Sequence, residues 1–186
     1  MKTDEIVETL INGGVVLFPT DTVWGVGVYI NSKIGMDKLY KIKNRSANKP
    51  TAVLVGSMDQ AKTYGVFEKE SLDLVNKHWP GELTVVVKAR SGLDERLINV
   101  DGGVGIRYPN NELIEELCRK LSGGLVASSA NVAGEKAPVK FEEIDKQLLN
   151  MVDEVIMGES GSGKSSTVVN CMDNKMTVLR QGDVRL

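Results

Sequence analysis

Short apolar runs alternate along this chain with segments whose apolar residues recur every three or four positions. The runs predict buried strands, and the recurring positions predict amphipathic helices that cover the faces of a sheet. The clearest helix begins near Asn110, with its apolar residues on one side over 113–121. The clearest strand covers residues 15–18, which are apolar throughout and end at Pro19.

The same pattern assigns the rest of the chain. Strands are predicted over 15–18, 26–30, 51–55, 83–87, 104–108, 125–127, 154–157, 167–171 and 176–179. Helices are predicted from Thr3, from Asn31 as the capping residue, from Ser57, from near Glu68, from near Asn110 and around 141–151. The last two strands are expected to form a hairpin around Asp173 and Asn174. Because hairpin-like pairs interrupt the alternation of strands and helices, the sequence predicts an α/β fold with a mixed sheet in one domain, residues 1–186.

The composition excludes several kinds of active site. The 186 residues include one histidine, His78, and two cysteines, Cys118 and Cys171. This count excludes a zinc site built from several His and Cys ligands, and any Ser-His-Asp triad would have to use His78. The formal net charge of −2 argues against bulk electrostatic binding of long nucleic acid, although a local basic patch remains compatible with it.

The sequence also carries information about location. The two cysteines are far apart and form no Cys-x-x-Cys pair, which indicates reduced thiols. The polar residues 1–5 do not resemble the start of a signal peptide, and no apolar run approaches the roughly 20 residues that span a bilayer. We therefore expect a cytoplasmic protein without membrane contact.

Three segments place polar or cationic groups beside predicted buried strands. Residues 19–25 contain two threonine hydroxyls and the Asp21 carboxylate at a strand end, where α/β sheets bind ligands, although such residues also form ordinary turns. Residues 127–134 are small, and their Ser129 and Asn131 side chains suit sugar or phosphate oxygens, although a simple turn needs no ligand.

The third segment is basic. Lys41, Lys43, Arg45 and Lys49 fall within nine residues that contain no acid. Such a segment is either an anion cradle or a solvated helix end. The sequence leaves both interpretations open. Arg45 also shares a position near a predicted strand edge with Arg107 and Arg180, so the three arginines are candidates for a common anion site.

Residues 158–165 match the G-x-x-x-x-G-K-[ST] pattern of a phosphate-binding P-loop. A functional P-loop needs a helix directly after its lysine, because the helix N-terminus supplies the amides and the dipole that meet the phosphates. Residues 166–170 are instead rich in β-branched side chains and predict an extended segment. The sequence therefore argues against a P-loop.

Taken together, seven short motifs in this order resemble the YrdC-like family of L-threonylcarbamoyladenylate synthases, in its single-domain form. They are Pro19–Gly25, Lys43-x-Arg45 with Lys49-Pro50, Pro80-Gly81-x-Leu83-Thr84, Arg107-x-Pro109, Ser128–Asn131, Ser166-Thr167 and Arg180-x-Gly182. The sequence differs from the family pattern at Trp24, Ser46, Glu82 and Ala133. The resemblance implies a twisted mixed sheet with flanking helices around a concave basic cavity.

The resemblance also implies an activity. Family members condense L-threonine, bicarbonate or CO₂, and ATP into threonylcarbamoyl-AMP and pyrophosphate. Mg²⁺ would arrive with ATP, and no protein-bound metal is expected. The product would pass to a tRNA threonylcarbamoyltransferase complex, and direct contact with tRNA would be weak.

Residue roles follow from the same resemblance. The implied catalytic residues are Lys43, Arg45, Ser129 and Asn131. The implied ATP-binding residues are Arg45, Lys49, Asn131 and Arg180. The implied threonine-binding residues are Thr22, Arg107, Ser129 and Ser166, with Thr84 as a further lining residue.

Two alternatives remain from the sequence. One is a non-catalytic RNA-binding or ribosome-maturation module of the same fold. The net charge of −2 and an aromatic content of 5% argue against it. The other is a P-loop ATPase, which would hydrolyse ATP without threonine and would depend on Lys164.

Overall fold

The computed structural model describes residues 3–44, 51–132, 134–172 and 176–186. Its helices are α1 (Thr3–Ile11), α2 (Lys33–Ile42), α3 (Met58–Tyr64), α4 (Lys69–His78), α5 (Glu112–Leu121) and α6 (Lys146–Leu149), with 3-10 turns at Glu95–Leu97 and Phe141–Glu143. Its strands are β1 (Val16–Pro19), β2 (Trp24–Tyr29), β3 (Ala52–Leu54), β4 (Gly65–Val66), β5 (Leu83–Ala89), β6 (Gly103–Arg107), β7 (Leu125–Ser129), β8 (Glu154–Val155), β9 (Thr167–Asn170) and β10 (Thr177–Arg180).

All the described strands join one sheet, in the order β10-β9-β5-β6-β3-β7-β2-β1-β8, with β4 paired to β5. Strands β1 and β8, β3 and β6, and β5 and β9 run parallel, whereas the other neighbours are antiparallel. The predicted mixed sheet with flanking helices is therefore confirmed. The description of the chain as one domain stays a prediction.

Alternating side chains of the strands build a core on each face of the sheet. Val16 and Phe18 of β1 pack with α1 and α5, whereas Leu17 between them packs into the larger core on the opposite face. Because successive side chains of a strand point to opposite faces, an apolar run such as 15–18 is stable only where both faces are covered. The apolar side of α5 is buried against the first face, as its periodicity predicts.

The structure corrects two local predictions. Ser32, and not Asn31, caps α2, because its hydroxyl accepts from Gly35 N at 3.2 Å. The Asn31 side chain instead donates to the Tyr29 hydroxyl at 2.9 Å. The helix predicted around 141–151 is a 3-10 turn followed by the short α6, because Asp145 accepts from Gln147 N and starts a separate turn.

The C-terminal hairpin is confirmed by the antiparallel pairing of β9 with β10. Its predicted turn at 173–174 lies outside the described residues. Strand β4 was not predicted, because two residues are too few to show a period of two. In the part of the chain that the structure describes, no helix has the length and apolar character needed to cross a bilayer.

Candidate functional site

A cavity of about 790 Å³ opens beside the ends of β1, β5, β6, β7 and β9. Its size lies within the range of pockets that enclose small organic ligands. It brings together eight of the ten residues predicted for the site. These are Thr22, Lys43, Thr84, Arg107, Ser129, Asn131, Ser166 and Arg180. The other two, Arg45 and Lys49, lie outside the described residues, as do the family departures Ser46 and Ala133.

The described lining of this cavity is positively charged. Lys43, Arg107 and Arg180 contribute cations, and none of the described lining residues is acidic. Cations lining a concave surface attract anionic ligands, even in a protein whose overall charge is slightly negative.

The first polar cluster, at one wall, joins the end of α2 to the loop after β7. The Lys43 ammonium is buried and donates to the carbonyl of Ser129 at 2.7 Å, to the carbonyl of Asn131 and to Asn131 Oδ1 at 3.2 Å. Ser129 Oγ donates to the same Oδ1 at 2.5 Å, and Asn131 Nδ2 donates to Glu135 O. Lys43 therefore fixes the shape of the 129–131 loop, besides contributing a charge to the cavity.

The second polar cluster is centred on Arg107 at the end of β6. Its Nε donates to Gly81 O at 3.1 Å and its NH1 to Thr22 Oγ1 at 3.0 Å. Its NH2 lies 2.5 Å from Asp21 Oδ1, and both charged side chains are almost buried. Burial lowers the pKa of Arg107, and the neighbouring Asp21 carboxylate opposes that shift. A buried guanidinium requires such a partner, because an unpaired charge is costly to remove from water.

A directed chain of hydroxyl groups continues from Arg107. Thr20 Oγ1 donates its hydrogen to Val23 O at 2.7 Å. Since a hydroxyl has one hydrogen, Thr22 is the donor in its 2.9 Å bond with Thr20. Thr22 accepts from Arg107, so one of its two lone pairs remains for a donor in the cavity.

The third polar cluster joins β5, the loop before β9 and β10. Thr84 Oγ1 lies 2.8 Å from Ser166 Oγ, because the parallel pairing of β5 with β9 sets Leu83 and Thr84 beside Thr167 and Val168. Arg180 donates from Nε to Ser166 O at 3.0 Å and from NH2 to Ser166 Oγ at 3.1 Å. The cluster therefore presents hydroxyls and a guanidinium to the same cavity.

The single histidine and the two cysteines do not line this cavity. His78 is at the end of α4 and does not line the cavity, and burial together with Lys77 lowers its pKa. Burial raises the pKa of Cys118 to about 12 and that of Cys171 to about 11, so both remain protonated near neutral pH. Among the described residues, no group of three or more His, Cys, Asp or Glu side chains is placed to hold a metal ion.

The P-loop-like segment 158–165 has a structural use. Its amides at 161, 162 and 163 donate to the carbonyls of Thr20, Asp21 and Thr22 at 2.9, 3.1 and 2.9 Å. Lys164 is followed by β9 and not by a helix. Because these amides are already bonded to the backbone, they are not arranged to cradle phosphates, and the sequence argument against a P-loop is confirmed.

We expect Lys164→Ala to change turnover by less than about twofold. Its ammonium is exposed and pairs with Asp183 at 2.7 Å, and exposed pairs of this kind contribute about 0–1 kcal/mol. Steady-state pyrophosphate release with ATP, L-threonine and bicarbonate measures the effect. A P-loop ATPase would instead lose nearly all ATP hydrolysis, so a large loss that does not depend on threonine would contradict this prediction.

Two residues of the site were part of a candidate segment in the sequence but were given no role there. Thr20 lines the cavity and holds the Thr22 hydroxyl, whereas Asp21 does not line it and holds Arg107 from behind its wall. Both belong to the 19–25 motif, where their residue types alone are equally typical of a turn. The sequence offered one indication of the role of Asp21. It predicts a cation at the end of the apolar strand β6, and a buried arginine needs a carboxylate partner somewhere in the fold.

Comparison with known proteins identifies the family to which this chain is related. A family model for the Sua5, YciO and YrdC proteins, described as "Telomere recombination", matches residues 8–182. A putative threonylcarbamoyl-AMP synthase of Methanocaldococcus jannaschii is 32% identical over 174 residues, which are 93% of this chain and 82% of the relative. The threonylcarbamoyl-AMP synthase of Stenotrophomonas maltophilia is 31% identical over 166 residues, 87% of this chain and 88% of that protein.

A solved structure shares the fold. The crystal structure of P. abyssi Sua5 complexed with L-threonine matches with a TM-score of 0.90 at 24% identity, over 97% of this chain. This chain spans 54% of that Sua5 chain, about half its length. Since the family model covers nearly the whole sequence and both sequence relatives exceed 30% identity over most of their lengths, this chain belongs to the Sua5/YciO/YrdC family.

Proposed function

We propose that this chain is a nucleotidyltransferase that condenses L-threonine, bicarbonate or CO₂, and ATP into threonylcarbamoyl-AMP, with release of pyrophosphate. One observation carries the proposal: one cavity, whose described lining includes three cations, joins the Lys43 cluster to the Arg107 and Ser166 clusters. The names of the relatives support the same activity.

Neither chemical step of this reaction needs a nucleophile from the protein. The amine of threonine adds to the carbon of bicarbonate and water leaves, which gives a carbamate. A carbamate oxygen then attacks the α-phosphorus of ATP, the bond to the β-phosphate breaks, and pyrophosphate departs. Two anions about 4 Å apart repel by about 4 kcal/mol at an effective dielectric constant of 20, so positioned cations are the main requirement.

The three clusters divide the substrates between them in this proposal. Lys43, Ser129 and Asn131, together with Arg180 and the residues Arg45 and Lys49, would serve the ATP phosphates. Thr22, Arg107 and Ser166 would hold threonine beside Ser129, with Thr84 supporting the Ser166 hydroxyl. The free lone pair of Thr22 suits a donor such as the amine of threonine. Arg107, a donor only, suits its carboxylate.

In this proposal Mg²⁺ is bound by ATP and not by side chains of the protein. None of the described lining residues is acidic, and the nearby Asp21 carboxylate is already bonded to Arg107 and Asn110 N. A hard cation prefers oxygen ligands, which the phosphates of ATP supply. We therefore expect Mg²⁺ to enter with ATP. Transfer of the product to a tRNA-modifying complex and the cytoplasmic location both stay predictions.

The proposed activity is tested by measuring pyrophosphate release while omitting one substrate at a time. We expect release only when ATP, L-threonine and bicarbonate are all present. Release at the full rate without threonine would overturn the proposal. Tight, salt-sensitive binding of tRNA that survives Lys43→Ala, without any pyrophosphate release, would favour the RNA-binding alternative instead.

We expect Thr22→Val to raise the KM for L-threonine about tenfold, because valine keeps the branched side chain but removes the hydroxyl with its hydrogen and both lone pairs. A hydrogen bond to a charged group contributes about 1.5–3 kcal/mol, which corresponds to a tenfold or greater effect. The KM for ATP should change by less than about twofold. Thr22→Ser is the matched control, because it keeps the hydroxyl. Equal changes in both KM values would contradict the assignment of Thr22 to threonine.

A further inference from the structure

The Asp21 carboxylate connects two distant parts of the sheet at the cavity. Its Oδ1 binds Arg107 NH2 and its Oδ2 accepts from Asn110 N at 2.9 Å. Asp21 follows β1, whereas Arg107 ends β6, and three strands lie between β1 and β6 in the sheet. Strand pairing therefore does not fix these two ends directly, and the carboxylate supplies a link between them.

We propose that Asp21 is a positioning residue for the reaction, acting through Arg107 and not on substrate. This inference rests on the proposed function. Arg107 and Thr22 line the cavity, but Asp21 does not. The side-chain contact that joins Asp21 to a lining residue is its bond to the Arg107 guanidinium, so this bond is the direct route by which the carboxylate can influence threonine binding.

The donors of Arg107 show what is being positioned. Each of its three nitrogens makes one bond, to Gly81 O, to Thr22 Oγ1 and to Asp21 Oδ1. Three anchors fix the plane of the guanidinium. Since arginine has five N–H donors, two are used by no atom in the described part of the chain. One is on NH1 and the other on NH2, and the anchors fix their directions, which suits the recognition of an oxyanion.

The anchor at Asp21 differs from the other two because it is charged. A charge-assisted bond is about twice as strong as a neutral one, and it also compensates the burial of the guanidinium. Without it, Arg107 keeps one carbonyl and one hydroxyl as partners. These permit rotation about the remaining bonds, and a misplacement of about 1 Å in a reacting group can reduce the rate about 100-fold.

Asparagine cannot replace this aspartate. Both carboxylate oxygens accept a hydrogen bond, one from Arg107 and one from Asn110 N. An amide has one oxygen and one NH₂ group, so either orientation sets the NH₂ group against one of these donors. Asp21→Asn therefore removes the charge and one of the two anchoring bonds while it preserves the volume of the side chain.

The test is a double-mutant cycle in the full chain, with Asp21→Asn, Arg107→Lys and the double variant. We measure the KM for L-threonine, the KM for ATP and kcat from pyrophosphate release, together with Tm. We expect Asp21→Asn to lower kcat/KM for threonine at least tenfold and to change the KM for ATP by less than twofold. When Arg107 is already replaced by lysine, we expect Asp21→Asn to lower kcat/KM for threonine by less than a further twofold.

Two further variants make the result decisive. Asp21→Glu keeps the charge but displaces it by one methylene, so a positioning role predicts a loss of about fivefold with Tm near that of the wild type. Asp37→Asn is the matched control, because Asp37 also pairs with an arginine, Arg96 at 2.7 Å, and neither residue lines the cavity.

Several outcomes would overturn the inference. One is a double variant in which the losses of kcat/KM from the two substitutions add fully. Another is an equal loss of kcat/KM for threonine and for ATP that follows the fall in Tm. The third is wild-type activity in Asp21→Glu. If Asp21→Asn does not fold, the Asp21→Glu result decides by itself. A wild-type chain that releases pyrophosphate without threonine refutes the proposed function, which is a separate result.

Discussion

Replacing Lys43 with alanine is expected to lower pyrophosphate release about 100- to 1000-fold and to reduce Tm by about 4–8 °C. The catalytic loss follows because the variant removes a cation from the cavity and its support of the 129–131 loop, and losing one preorganised electrostatic group from an active site typically costs that factor. The stability loss follows because the carbonyls of Ser129 and Asn131 lose the Lys43 donor, and Asn131 Oδ1 keeps only the hydrogen bond from Ser129 Oγ. Leaving partly buried acceptors without partners costs about 2 kcal/mol, and each kcal/mol shifts Tm by about 2–4 °C in a domain of this size.

Lys38→Ala is the control for this variant. Lys38 lies on the same helix, and its ammonium makes a half-exposed pair with Asp153 at 3.1 Å, away from the cavity. Exposed pairs contribute little, so we expect turnover and Tm close to those of the wild type. Steady-state kinetics and thermal melting of both variants are compared. Wild-type turnover in Lys43→Ala would show that the 129–131 loop holds its shape without the ammonium.

Substitution of Gly161 by alanine is expected to be the most destabilising change in the P-loop-like segment. A Cβ at this position would lie 1.9 Å from the Asp21 carbonyl oxygen, which is far inside van der Waals contact. The segment would have to separate from Thr20–Thr22 and lose its three backbone hydrogen bonds, at a cost of about 3 kcal/mol. Because Thr22 and Asp21 would shift with it, we also expect turnover to fall about 100-fold.

Ser162→Ala is the adjacent control. Its amide makes the next hydrogen bond of the same series, to Asp21 O, while its side chain is exposed. We expect this variant to retain the Tm and turnover of the wild type. Thermal melting and pyrophosphate release distinguish the two variants. A Gly161→Ala protein with wild-type Tm would mean that the contact with Asp21 relaxes at little cost.

The contrast between Gly161 and Lys164 shows how far the motif could be interpreted from sequence. Their spacing spells a P-loop, and the extended residues after Lys164 were sufficient to argue against that function. The partner of the segment was not predictable. The carbonyls of Thr20–Thr22 lie about 140 positions earlier in the chain, and no local pattern reports a contact over that distance.

In other parts of the site, too, the sequence indicated the residues but not their contacts. The residue types of Thr84, Arg107 and Ser166 marked them as candidates through the motifs that resemble the family. Their contacts depend on the sheet: the parallel pairing of β5 with β9 places Thr84 against Ser166, 82 positions later. Likewise, the end of β6 reaches Asp21, 86 positions earlier. Asp21 and Thr20 were therefore given no role in the site, although both stood in a candidate segment.

The sequence by itself determined the sites of the main strands and helices, the mixed character of the sheet and the scarcity of histidine and cysteine chemistry. These are properties of composition and of local periodicity, which reports whether a side chain is buried. Only the tertiary structure decided that Lys43 holds the 129–131 loop, that Asp21 holds Arg107 and that segment 158–165 supports Thr22. Each of these contacts joins residues that are distant in sequence, and their choice of partner depends on strand order and register, which local periodicity does not encode.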